Sequence, residues 1–143
     1  MRISSLLAQK GSAVVTIPAG ATVAEAVAEL EKHRIGALVV SSDGSRIDGI
    51  VSERDIVRAL GHEGADLLGQ PVSSIMTASV VTCSPEDEVE SLMSTMTDHR
   101  VRHVPIVVDG TLQGLVSIGD VVKSRIGELE KDRKELVEYI TAR

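Results

Sequence analysis

The sequence predicts an α/β (α+β) chain built from two copies of one β-α-β-β-α unit, and three observations carry that expectation. A nine-residue segment, Gly49 to Val57, recurs at Gly114 to Val122 with five identities and an offset of 65. Val23 to Leu30 followed by His33-Arg34-Ile35 recurs as Val89 to Met96 followed by His99-Arg100-Val101, and Thr16 recurs as Thr82, at an offset of 66. The one-residue difference falls between the turn dipeptides Asp43-Gly44 and Asp109-Gly110, where a hairpin tolerates a change of length. Each copy alone is small for a core, so two stacked copies sharing one core are expected.

The first copy opens with a short β-rich run, Val14 to Ile17. Thr22 can cap a helix whose apolar stripe is Val23, Ala26, Val27 and Leu30. Ala37 to Val40 reads as a strand, Asp43-Gly44 as its turn, and Ile47 to Val51 as a second strand entering a helix at Ser52. Gly61 to Gly64 and Gly69 to Pro71 read as the connection, with a helical turn from Pro71 to about Met76. In the second copy Val80 to Cys83 is the opening run and Glu88 to Asp98 the helix. Val104 to Val108 and Leu112 to Val116 are the paired strands, and Ser117 opens the last helix. The expected organisation is an N-terminal helical segment over 1–13, repeats over 14–70 and 71–124, and a helical extension over 125–143. In that extension Val122, Ile126, Leu129, Arg133, Leu136 and Ile140 alternate four and three apart, a heptad-like seam that needs a partner surface. The competing reading is that Val122 and Ile126 finish the core and the rest is a solvated end.

Composition narrows function. The 143 residues carry 21 acidic and 15 basic side chains, a net charge of -6, which opposes binding to a phosphate backbone. One Tyr, with no Trp or Phe, leaves no stacking platform for single-stranded nucleic acid. Cys83 is the only cysteine, so no internal disulfide forms and a cytoplasmic location is expected. No apolar run approaches the roughly 18 residues of a membrane span.

The chemistry sits in two places. Ser52/Asp55 and Ser117/Asp120 lie at strand-to-helix junctions, where Ser and an acid three residues on can form a capping box. The functional reading of the same residues is that the carboxylate accepts the two hydroxyls of a ribose while free N–H groups and the Ser hydroxyl face phosphate. The second place is His99-Arg100-Val101-Arg102-His103-Val104-Pro105, a dense basic segment in an acidic chain. If extended, Arg102 and His103 point to opposite faces. Gly36-Ala37 holds their position in the first copy, so two sites built this way are not equivalent, although Arg54 adds a cation beside Asp55. A neutral alternative for the segment is a solvated patch offsetting Asp98 and Asp109. His103 at its ordinary pKa would add phosphate affinity below about pH 6.5.

The duplicated Gly-aliphatic-aliphatic-Ser-x-x-Asp junctions, Ile75-Met76-Thr77 and Arg102-His103-Val104-Pro105 together resemble the tandem cystathionine-β-synthase-type (CBS) domain pair, or Bateman module, from Val14 through Val122. The resemblance implies two repeats packed sheet to sheet by pseudo-twofold symmetry, with two clefts for adenosine-containing ligands. AMP is the first expectation, with ADP, ATP, NAD or S-adenosylmethionine as others. By resemblance, Asp55 and Asp120 hold ribose, Ser52 and Ser117 lie beside ribose or phosphate, and Arg100, Arg102 and His103 face phosphate in the cleft of Asp120. Adenine is expected near Thr16-Ile17 and Thr82-Cys83. Two departures bear on this: Gly36-Ala37 lacks the basic pair, and Ser replaces the commoner Thr at both junctions.

Enzymatic readings lack a nucleophile with its base, a metal site or paired acids. His99 and His103 are four apart across a helix-to-strand change, Cys83 shows no activating neighbour, and Met93 and Met96 read as core filler. The expected function is a non-catalytic regulatory module, acting as a homodimer or on a separate effector protein. The alternative is a ligand-free structural or interaction module.

Overall fold

A computed structural model describes residues 1–142; Arg143, the last residue of the expected extension, lies outside them. Helix α1 (Ile3–Lys10) precedes the first repeat, which runs β1 (Thr16–Ile17), α2 (Val23–His33), β2 (Ala37–Val40), β3 (Gly49–Ser52) and α3 (Glu53–Glu63). The second runs α4 (Val89–His99), β4 (His103–Val108), β5 (Thr111–Ser117) and α5 (Ile118–Thr141). Thr22, Ser52 and Ser117 each start a helix by the same reciprocal bonding, the hydroxyl taking the backbone N–H three residues on and that residue's carboxylate taking the cap's N–H. Helix α3 extends through Gly61 to Glu63, residues read from sequence as connection. It stops at Gly64, whose φ of 70° a side chain disfavours. Short 3-10 turns, Gly64–Gly69 and Val72–Ser74, then lead to the second repeat.

The first sheet has the order β1-β2-β3, with β1 parallel and β3 antiparallel to β2. In the second, β4 and β5 pair antiparallel, and the expected run Val80 to Cys83 supplies only one bridge, Cys83 to Ile106. Proline explains the loss. In the first copy the Val39 N–H reaches the Val15 carbonyl at 3.4 Å; Pro105 stands at the equivalent place, 66 residues on, and has no N–H to donate.

The expected single shared core is instead two. One gathers Ile17, Val23, Ala26, Leu30, Leu38, Val40, Val51, Ile56, Leu67 and Val72; the other gathers Ile3, Leu6, Val89, Leu92, Met96, Val104, Ile106, Val116 and Val121. Val27, expected in the α2 stripe, flanks it and is exposed. Each repeat borrows a segment from outside its strands. Val72, from the connection, closes the first core, while α1 crosses the chain to close the second with Ile3 and Leu6. The two borrowed segments are attached alike: the Val23 N–H bonds Gln70 O, the Val89 N–H bonds Met1 O, and the bridges Thr22–Pro71 and Arg2–Glu88 correspond.

Candidate functional site

Because β3 delivers Ser52 to the start of α3, the cap fixes Asp55 at the edge of the first sheet. Its Oδ2 takes the Ser52 N–H at 2.9 Å and the Ser52 hydroxyl at 3.0 Å, and Asp55 makes no ion pair among the described residues. A carboxylate offers about four acceptor positions, so capping leaves Oδ1 for a second donor. One turn along α3, Arg54 and Arg58 share a face.

Across from them stands the second repeat's basic segment. Arg100 ends α4 in the left-handed conformation, φ 55°, as Arg34 ends α2, φ 52°. Each repeat ties the segment before its hairpin to its last helix by the same bond, the Glu53 N–H on Gly36 O at 2.9 Å in the first and the Ile118 N–H on Arg102 O at 2.8 Å in the second. Gly36 is small for a reason, since a Cβ there would stand 2.7 Å from the Glu53 carboxylate and 3.3 Å from the His103 ring. The result is a cleft of about 700 Å³ walled by Ser52, Arg54, Asp55 and Arg58 on one side and by His99 to His103 with Ser117 on the other. Thr77, Ser79, Val80 and Val81 form its third side.

The cleft therefore joins the Asp of the first repeat to the basic segment of the second, not the same-repeat pairing the sequence suggested. Ser52, Arg54, Asp55, Arg100, Arg102, His103 and Ser117 come together. Asp120 does not line the cleft; Lys10 of α1 sits on its carboxylate at 2.5 Å. Thr16, Ile17, Thr82 and Cys83 lie outside it too. Ile17 is buried in the first core and Cys83 packs against the second. The apolar wall is Val80-Val81, just ahead of the neighbourhood expected. Arg58, Ser79 and Lys10 were missed by sequence reasoning, although Arg58 follows Arg54 at helical spacing.

Electrostatically the cleft is cationic, with four guanidinium groups against two carboxylates, Asp55 and Glu53. His103 does not add to them at neutral pH: burial, and then the Lys10 ammonium, hold its pKa below the ordinary 6.5, against the pull of Glu53 and Asp120. This corrects the expectation of an unperturbed titration. Burial and Asp87 push the Cys83 thiol up to about 12, leaving it protonated. Among the described residues no cluster of His, Cys, Asp or Glu suits a metal ion, and no helix is long and apolar enough to cross a membrane.

Two β-α-β-β-α repeats enclosing a cleft of this kind define a paired-repeat module. The family model for the CBS domain matches twice, over residues 11–62 and 72–127, and the chain belongs to that family. The mitochondrial CBS domain-containing protein CBSX3 of Arabidopsis thaliana is 38% identical over 123 residues, which are 83% of this chain and 60% of that protein, so the chain spans less than two thirds of that relative. A crystal structure of a CBS-domain containing protein from Agrobacterium tumefaciens is 43% identical with a TM-score of 0.85, covering 87% of this chain and 99% of the other. A CBS domain protein from Pyrobaculum aerophilum, solved complexed with AMP, is 34% identical with a TM-score of 0.74, covering 84% and 89%.

Proposed function

We propose that this chain is a non-catalytic regulatory module, cytoplasmic, that binds a phosphate-bearing adenosine ligand, AMP first, in the cleft of Asp55. One observation carries the reading: a carboxylate with a free oxygen faces guanidinium groups from the other repeat across a space of nucleotide size. Asp55 accepts the ribose diol, Arg100 and Arg102 bind phosphate with Arg54 or Arg58 assisting, and Val80-Val81 offers the adenine an apolar wall. The AMP complex of the 34% identical relative supports AMP as the first ligand to test. Four arginines also disfavour S-adenosylmethionine, whose sulfonium is cationic, against AMP, ADP, ATP or NAD.

Mass spectrometry of small molecules released by denaturing purified protein, together with a thermal-shift panel of the five ligands, tests the proposal. A ligand at a hundred times its Kd adds about 2.7 kcal/mol of stability, a visible shift. Asp55→Ala is expected to weaken adenosine and AMP alike. Arg102→Ala is expected to weaken AMP about ten- to a hundredfold and to spare adenosine. No shift with any ligand, and none co-purifying, would favour the ligand-free interaction module.

The regulated party is a separate effector protein or a second copy of the chain. The exposed side of α5 supports the second: Ile118, Val122 and Ile126, with Gly119 and Gly127, line an apolar groove on which a helix can pack.

A further inference from the structure

The two junctions are capped alike and left in different states. At the first, Asp55 Oδ2 receives only the N–H and hydroxyl of Ser52. At the second, Asp120 Oδ2 receives the Ser117 N–H at 2.9 Å and the Lys10 ammonium at 2.5 Å, and Lys10 also donates to Leu115 O. We infer that Lys10 is a counter-ion built into the chain that closes the Asp120 junction to a ribose diol, so the module has one open nucleotide site, at Asp55. The inference rests on the Asp55 reading for that open site.

Lys10 is held where it is by folding. It is the last residue of α1, which Ile3 and Leu6 anchor in the second core at 0% and 4% exposure, and Gly11, φ 96°, turns the chain away directly after it. Because the helix is fixed by burial elsewhere, part of the ordering cost of the ion pair is met before it forms. The internal repeat shows the difference to be local. Ile3-Ser4-Ser5-Leu6-Leu7 corresponds to Val72-Ser73-Ser74-Ile75-Met76 at an offset of 69. In that register Leu7 lies against Gly114 as Met76 lies against Gly49, and Lys10 corresponds to Ser79. Ser79 lines the Asp55 cleft. One place in the pseudo-symmetric plan thus holds a short hydroxyl where the carboxylate is open and a cation where it is occupied.

The carboxylate itself registers the ammonium. Burial alone would raise the Asp120 pKa, yet the Lys10 bond and the Ser117 cap bring it below the ordinary 3.8. A ribose reaching Asp120 must displace a charge-assisted bond that water only partly replaces, since Lys10 and Asp120 side chains are 32% and 25% exposed.

Calorimetry of the full chain with adenosine and with AMP tests the closure. The wild type is expected to bind one equivalent. Lys10→Ala and Lys10→Gln are expected to gain a second, with adenosine affinity at the Asp120 junction rising about ten- to a hundredfold, and Lys10→Ala combined with Asp120→Ala is expected to lose it again. Two lysine variants guard against a folding artefact, and their circular dichroism and melting are read alongside. Overturning results are two equivalents in the wild type, no gain in either lysine variant, or a loss of AMP affinity in both, which would make Lys10 a phosphate ligand. Failure of the Asp55 reading looks different: a wild type that binds nothing, with a lysine variant that gains an Asp120-dependent site, upholds the closure and rejects Asp55.

Discussion

His103 stands between the two junctions and feels both. Lys10 and Arg102 disfavour its protonation while Glu53 and Asp120 favour it, and burial decides the outcome by lowering its pKa. The unfolded chain then binds the proton first as pH falls. Stability from the neutral ring is complete above about pH 6.5 and is lost as pH drops through the lower folded value. An NMR titration of the His103 ring is expected to show a midpoint below 6.5 that moves up in Lys10→Ala, because one opposing cation is gone; a midpoint unmoved by that change would contradict the placement of Lys10. Phosphate bound in the Asp55 cleft is expected to raise the midpoint as well. Cys83 gives a second check at this scale. With its thiol pushed up to about 12, only about one molecule in ten thousand is thiolate at pH 8. Iodoacetamide is expected to alkylate the native chain far more slowly than the chain in urea, and equal rates would refute the burial.

The junction glycines read from the repeat as motif turn out to be places where a borrowed segment crosses a strand. A Cβ at Gly49 would meet Met76 Sδ at 2.7 Å and the Thr77 carbonyl at 2.9 Å, whereas one at Gly114 would meet only side chains, Leu7 Cδ1 at 2.6 Å and Ile106. A leucine tip can turn aside, but the Thr77 carbonyl is tied to the Ile50 N–H at 3.0 Å. Gly49→Ala is therefore expected to destabilise more than Gly114→Ala, by about 1–3 kcal/mol in the first case, and equal melting temperatures would disprove the argument. The repeat made the succession of elements, the helix starts and the capping boxes at Ser52 and Ser117 legible, because hydroxyl, acid and apolar spacing are local signals. The two cores were not legible, since they depend on Ile3 and Val72 crossing to sheets distant in sequence. The signal existed in Ile3-Ser4-Ser5-Leu6 against Val72-Ser73-Ser74-Ile75, and likewise Pro105 already ruled out a full strand at Val80 to Cys83. The candidate site was half legible: Ser52, Arg54, Asp55, Arg100, Arg102, His103 and Ser117 were named and Arg58 and Ser79 were not, while which Asp faces which basic segment follows from the crossing of repeats, not from their order.

Both cores are complete by the first turn of α5, where Val121 is the last residue buried. A salt bridge from Arg125 to Glu90, 3.3 Å, ties the next turn to α4, while Arg125 also pairs with Glu128 within α5, 2.9 Å. Beyond them the helix continues to Thr141 with Leu129, Leu136, Val137 and Ile140 exposed. A helical end of this length is marginal in water without a surface to cover it. In a homodimer, Val122, Ile126, Leu129, Leu136 and Ile140 from each chain would go from half-exposed to buried, worth about 1 kcal/mol apiece, or roughly 10 kcal/mol for the pair. Association costs about 4–15 kcal/mol, a range that brackets this gain, so the seam is a decisive part of the balance and any further contact between the repeats adds to it. Gly127 and Arg133 within the seam weaken it further. Sedimentation at several concentrations is therefore expected to show a homodimer for the full chain and a weaker, concentration-dependent one for a chain truncated after Glu128. A full chain that stays monomeric would remove the dimer, and a truncated dimer of undiminished affinity would show that α5 serves something other than self-association.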